Sequence, residues 1–325
     1  MNLYEQQQLN RRRSTWLIVG FICGGLLLGL GLDGLWLSGS VVGGAPLPVG
    51  TIAAVAISSL SAWLAYRQGD RLVLASSHAV PLDVSDPKQH QWQNVVEEMA
   101  IAAGLPTPKM YVIPDDDPNA FATGRDPQHA SVAVTRGALA RLNRDELQGV
   151  AAHEFSHIRN YDTRLMLLIA VLIGAVALIS DWASRSLRYG GVRRDSRNDR
   201  ERSSGGIALV CLVLWLVAVI LAPLLSQLAA LAVSRRREYL ADASGAELTR
   251  NPLGLAGALA KIEAQTAPTR AITRGTAHLC ITDPQGRALT RVANWWADLW
   301  ATHPPMDQRI ARLREMAYAA GPNAP

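Results

Sequence analysis

Cysteine is scarce: Cys23, Cys211 and Cys280 are the only three in 325 residues. Two fall inside apolar runs and the third stands alone, which excludes a disulfide framework and a thiolate metal site. Charge is also missing over long distances. Between Arg13 and Arg67 the sole charged residue is Asp33, and none occurs between Arg164 and Asp181 or between Arg202 and Arg235. A hydrocarbon core about 30 Å thick is crossed by about 20 apolar helical residues. The first stretch holds two crossings, roughly 14–37 and 49–66, separated by "SGSVVGGAPLP", and the last is ample for one. Residues 165–180 reach only about 24 Å as a helix. That third run must be extended by its neighbours, thin the bilayer, or be buried in protein. Four hydrophobic helices are therefore expected. The amino-terminal "RRR" before an apolar run could open an export signal, but the run is too long and no small-residue cleavage site follows it, so it reads as an anchor.

The net charge of +5 comes mainly from arginines clustered at helix ends: Arg11 to Arg13, Arg67 and Arg71, and Arg235 to Arg237. These are the flanks of membrane helices. The loop 184–206 is rich in arginine but lacks interleaved aromatics apart from Tyr189, so no nucleic-acid partner is expected. No internal repeat is visible. Four regions follow: 1–66, an amino-terminal pair of membrane helices; 67–163, soluble; 164–233, a second pair around the polar loop; and 234–325, soluble and largely helical.

In the first soluble region, "DPKQHQWQNVVEEMAIAAGL" sets Val95, Val96, Met99, Ile101 and Ala102 at helical spacing. Met110 to Ile113 and Ser131 to Thr135 read as strands bounded by turn residues. Asp115 to Asp117, followed by Pro118, could hold a hard cation but reads more simply as an acidic turn. In "LNRDELQGVAAHEFSHIRN", Asn143 suits an N-cap, with Asp145 and Glu146 in the first turn.

That last segment carries the chemistry. On a helix His153 and His157, at i and i+4, present two imidazoles toward one point. Glu154 projects beside them, where it can take a proton from water without occupying the metal. A catalytic zinc site needs one more protein ligand and keeps one position for water. In "SRRREYLADASGAEL", Glu238 and Asp242 again share a helix face. Glu238 is a fitting third ligand, and Asp242 is placed to accept the outer N–H of a ligand histidine.

"NAFATG", "HEFSHI", "SRRREYLADASGA" and "THPPMDQRIARL" together resemble the HtpX-type membrane metalloproteases, relatives of the CAAX prenyl proteases. The resemblance implies one Zn2+ per chain on His153, His157 and Glu238, with Glu154 as general base and acid and Asp242 as a supporting carboxylate. It implies a mainly α membrane protein with an α+β soluble part: four hydrophobic helices and a gluzincin-like protease domain carrying a small β-sheet. Region 67–163 would then be a cytosolic protease part with the active-site strand and the metal helix, and 234–325 would supply the third ligand. Asn119, Ala120 and Phe121 would lie in a strand that pairs with an extended substrate. His303 would steady an oxyanion near the zinc, or else be an ordinary histidine at a helix start before "PP".

If both histidines and Glu238 share one ion, an even number of crossings separates them. The positive-inside rule then makes their side cytoplasmic. The loop from Arg185 to Arg202, with seven arginines against three acids, would face outward against that rule, unless the third and fourth runs form a hairpin that does not fully cross. The expected function is an endopeptidase in the bacterial inner membrane, multi-pass and active on the cytoplasmic side. Its substrates would be misfolded or unassembled membrane proteins, with loose sequence preference. The alternatives are a processing protease with one defined target and an inactive membrane adaptor.

Overall fold

A computed structural model describes residues 3–37, 48–172, 235–265, 280–281 and 304–319. The described residues fall into two compact units: 14–37, 48–66 and 168–172 make one, and the rest make the other.

The apolar unit is built on two helices, α1 (Leu3–Leu37) and α2 (Val49–Ser76), both long and apolar enough to cross a membrane. Their large side chains point outward: Trp16, Leu27, Ile52, Ile57, Leu60 and Trp63 are all exposed. A helix in a soluble core would bury such residues, whereas one in lipid need not. The two helices approach closely through small residues. A Cβ added at Gly29 would lie 2.4 Å from the Thr51 Cα, and one at Gly25 would lie 2.5 Å from the Ser58 hydroxyl, a small-residue interface of the kind apolar helices use in lipid. Asp33, the lone charge, is explained locally. Its carboxylate accepts the backbone N–H groups of Gly50 and Thr51 at 2.8 Å each and the Thr51 hydroxyl at 2.7 Å, so it caps the start of α2. Residues 162–172 are helical and the apolar side chains from Leu165 to Ala170 are buried. The remainder of the expected third run, the fourth run and the loop 184–206 lie outside the described residues.

The other unit holds a four-stranded sheet and the remaining helices. Strands β1 (Val80–Pro81), β2 (Lys109–Ile113), β3 (Ala120–Gly124) and β4 (Ala130–Thr135) are ordered β1-β2-β4-β3. β2 and β4 are parallel, and β3 runs antiparallel to β4 with Ala122 opposite Val132. β3 is therefore an edge strand. It ends at Gly124, whose φ of 140° and close approach to His129 leave no room for a side chain.

Helix α3 (Pro87–Ala103) starts on the Asp86 side chain, which accepts from Lys88 and Gln89 N–H, and stops at Gly104 with φ 65°. Its buried face is Trp92, Val95, Val96, Met99 and Ala100. The expected face differs in part: Ile101 is 82% exposed and Ala102 is also exposed. Trp92 and Ala100 fall on the stripe that the helical pitch keeps toward α5, and Ile101 and Ala102 fall past it. Also described in this unit are α4 (Arg136–Arg141), α5 (Arg144–Arg159), α6 (Arg235–Thr249), α7 (Pro252–Glu263) and α8 (Met306–Ala319). Val132, Val134, Leu147, Phe155, Leu255, Leu259 and Leu313 join the α3 face in one core, each fully buried large side chain contributing about 1.5–3 kcal/mol. The acidic turn is an acidic turn: Asp115 accepts from Asp117 N–H at 2.9 Å, and Asp116 pairs with Arg136 at 2.9 Å.

Candidate metal centre

Helix α5 is set by its own ends. Asn143 accepts from Glu146 N–H at 2.9 Å while the Glu146 carboxylate accepts from Asn143 N–H at 2.8 Å, a complete capping box. Lys261 of α7 holds the same carboxylate at 2.7 Å. With the start of α5 fixed, the pitch aims His153 and His157 at one point. Helix α6 crosses α5 closely because Gly245 has no side chain; a Cβ there would lie 3.1 Å from His153 N. Glu238 sits two turns earlier on the same face of α6.

The donor atoms converge. His153 and His157 Nε2 are 3.2 Å apart, Glu238 Oε2 is 3.7 Å from His153 Nε2, and Glu238 Oε1 is 3.8 Å from His157 Nε2. Two donors 2.0–2.1 Å from a tetrahedral zinc would themselves lie about 3.3 Å apart. Two imidazole lone pairs at such a separation need a cation or a proton between them, and the nitrogen, nitrogen and oxygen set is one that zinc takes. The residues fit the ion. Among the described residues this is the only group of three or more such side chains gathered within 4.8 Å.

Each imidazole is held from behind by a carboxylate. His157 Nδ1 is 3.0 Å from Asp162 Oδ2, in hydrogen-bonding alignment. His153 Nδ1 is 3.0 Å from Asp242 Oδ1, in poorer alignment. Such partners fix the tautomer with Nε2 facing the metal position. Asp242 is in turn gripped by Arg309, fully buried on α8, through Nε to Oδ2 at 2.8 Å and Nη2 to Oδ1 at 2.7 Å. Arg309 Nη1 also donates to Ile281 O at 3.0 Å and lies 3.6 Å from Glu238 Oε2. Burial alone would raise the Asp242 carboxyl, but the Arg309 guanidinium, with a smaller contribution from His153, holds the group below the ordinary carboxylate range. Burial lowers the His157 pKa, yet the Asp162 hydrogen bond and the charges of Glu238, Asp162 and Glu154 reverse this and push it up to about 9.

Glu154 is buried and its carboxyl pKa is raised, chiefly by desolvation, with the two imidazoles pulling the other way. It accepts a backbone hydrogen bond from Ala122 of β3. On the same edge, the Ala120 carbonyl accepts from Ile281 N–H at 3.0 Å. Ala120 and Phe121 open β3 and Asn119 directly precedes it, all three buried; the Asn119 carbonyl accepts from Thr135 N–H at 3.0 Å. His303 lies outside the described residues. Asp162, Arg237 and Arg309 escape a reading of the sequence. Asp162 sits beyond the end of α5, off the helical repeat, and Arg309 looks like any arginine of an amphipathic helix, although it stands inside "THPPMDQRIARL".

Paired imidazoles with a carboxylate from another helix, and a buried glutamate between them and an edge strand, are the equipment of a metal-dependent peptidase. The model of Peptidase family M48 matches residues 86–317. The chain is 42% identical over 315 residues to a Protease HtpX homolog of Thermoanaerobacter pseudethanolicus, covering 97% of this chain and 98% of that protein. It is 40% identical over 314 residues to one of Lactiplantibacillus plantarum, covering 97% of this chain and 100% of that protein. The crystal structure of S. mikatae Ste24p matches at 16% identity with a TM-score of 0.50, covering 95% of this chain and 67% of that one, which is a likeness of fold. The chain belongs to peptidase family M48 and is a membrane metalloprotease of the HtpX type, a peptide-bond hydrolase.

Proposed function

We propose that this chain is a zinc-dependent endopeptidase of the bacterial inner membrane that cleaves misfolded or unassembled membrane proteins on the cytoplasmic side. One Zn2+ per chain is held by His153, His157 and Glu238. The carrying observation is the convergence of these donors at 3.2–3.8 Å with a carboxylate behind each imidazole. The chemistry that zinc supplies in such a site is Lewis-acid polarisation of the scissile carbonyl and acidification of water. Glu154, kept dry and raised in pKa, takes a proton from the attacking water and delivers it to the leaving amine. His303 steadies the oxyanion.

The substrate enters as a strand. Ala120 and Ala122 turn backbone groups away from β4; the Ala120 carbonyl already accepts from Ile281, and the Ala122 N–H is held by Glu154. The pairing segment is the expected strand 119–124, which holds both. Backbone pairing asks for an extended chain rather than a particular side chain, which favours unfolded segments over a single defined target. Because His157 and Glu238 meet, an even number of crossings lies between them, in keeping with four spans in the arrangement 1–66, 67–163, 164–233 and 234–325. The arginines at 11–13, 67 and 71 then mark the metal's side as cytoplasmic.

The test is metal analysis of the purified full-length protein beside digestion of casein and of several unrelated unfolded substrates, with and without chelator. Glu154→Gln should keep one zinc per chain while kcat falls by about 10²–10⁴-fold. Equal cleavage by wild type and this variant would remove Glu154 from the mechanism. Cleavage of only one substrate of the panel would favour a processing protease.

A further inference from the structure

Asp162 is 2% exposed, and each of its oxygens has a distinct partner. Oδ2 faces His157 Nδ1. Oδ1 accepts from Asn10 Nδ2 at 2.6 Å and lies 3.4 Å from Arg237 Nη1. Asn10 belongs to the polar opening of α1, about 150 residues away in the chain, and is fully buried. Its amide nitrogen also donates to Asn160 O at 2.9 Å. The neighbouring Gln7 donates to Arg159 O at 2.9 Å, and Arg11 stacks over the Tyr161 ring at 4.2 Å and bonds its hydroxyl. Tyr161 is held at φ 59°, left-handed for a non-glycine residue. The start of α1 thus grips the end of α5 and the turn 160–161, which lead directly into Asp162, the carboxylate behind His157.

A carboxylate side chain at the first residue of a helix can still rotate, and its aim at His157 depends on what holds its other oxygen. The Arg237 contact is long, whereas the Asn10 bond is short. An uncharged amide donor also orients Asp162 without adding to the counter-charge that Arg237 already supplies. We propose that Asn10 is a positioning residue of the metal centre, acting through Asp162 on His157, so that the start of the first apolar helix is a working part of the zinc site. This rests on the His153, His157 and Glu238 reading above.

The experiment measures zinc dissociation constants of the full-length protein in detergent by chelator competition, together with visible spectra after cobalt substitution. Loss of a group supporting a ligand histidine costs about 10–100-fold in metal affinity. Asn10→Leu should weaken zinc binding by that factor and alter the cobalt spectrum, and Asn10→Asp, carboxylate against carboxylate, should weaken it more. Gln7→Ala, which loosens the same turn without touching Asp162, should stay within about twofold of wild type. Combined with Asp162→Asn, Asn10→Leu should cause no further loss, a coupling that a merely structural role would not produce. Asn10 variants that bind zinc like wild type, or losses that add in the double variant, would overturn the proposal while His153→Ala still abolishes binding. A wild-type protein that takes up no zinc would overturn the ligand reading and this inference together. If Asn10→Leu does not fold, Asn10→Ser serves in its place.

Discussion

Replacing Arg309 by methionine removes a fully buried cation but keeps much of the apolar stem. It strips Asp242 of two bonds at 2.7 and 2.8 Å and Ile281 O of one at 3.0 Å, and takes the nearest guanidinium nitrogen from Glu238. Asp242 and Glu238 are 3% and 2% exposed, so water cannot replace what is lost. Breaking a buried ion pair by removing one partner costs about 3–5 kcal/mol. In a unit of this size, each kcal/mol moves Tm by roughly 2–4 °C, so thermal unfolding in detergent, followed by tryptophan fluorescence, should begin about 6–20 °C lower at neutral pH. Arg309→Lys keeps the charge but not the planar fork and should lose roughly half as much. The pH dependence carries a sign. In wild type the folded pKa of Asp242 is depressed, so this group contributes stability above its unfolded value, about 3.9, and loses it as pH falls through the folded value. Without Arg309 the largest lowering influence is gone and burial moves that carboxyl upward from its wild-type value, so the gap between variant and wild type should narrow as pH drops toward 4. A Tm within about 2 °C of wild type at neutral pH, or a gap that widens in acid, would refute the assignment of Arg309 as the counter-charge of this site.

Two further outcomes follow from the same geometry. Gly245→Leu places a side chain against the His153 backbone, where even a Cβ would stand 3.1 Å away. It should cost about 1–3 kcal/mol as overpacking and weaken zinc binding by prising α6 from α5, as read by chelator competition. In metal-free protein the folded His157 pKa of about 9 lies above the ordinary value of about 6.5. Its contribution to stability is complete below about 6.5 and lost as pH rises through about 9. The chelated protein should therefore lose Tm across that window, and His157→Gln should flatten the loss.

The metal helix is legible in the chain because its information is local. The pitch alone sets His153 and His157 on one face, and Asn143 and Glu146 announce the start of α5 within four residues. The strands Met110–Ile113 and Ser131–Thr135 and the two apolar helices are equally plain, since period and run length are properties of neighbours in sequence. The α3 face was legible only in part: "VVEEMAIAA" contains apolar residues on more than one side, and packing against α5 selects Trp92 and Ala100 over Ile101 and Ala102.

Local spacing thus settles which residue types can act and on which helix they stand, because a helical repeat carries its own geometry. It does not say which distant carboxylate backs which imidazole. Asn10 reaching Asp162, Arg309 reaching Asp242, and Ile281 lying on the β3 edge all join segments 67 to 161 positions apart. Nothing in the intervening chain encodes those distances. They arise when burial forces each polar group to find a partner among the segments that folding brings together, the start of α1 at the turn after α5, and α8 against α6 and α7.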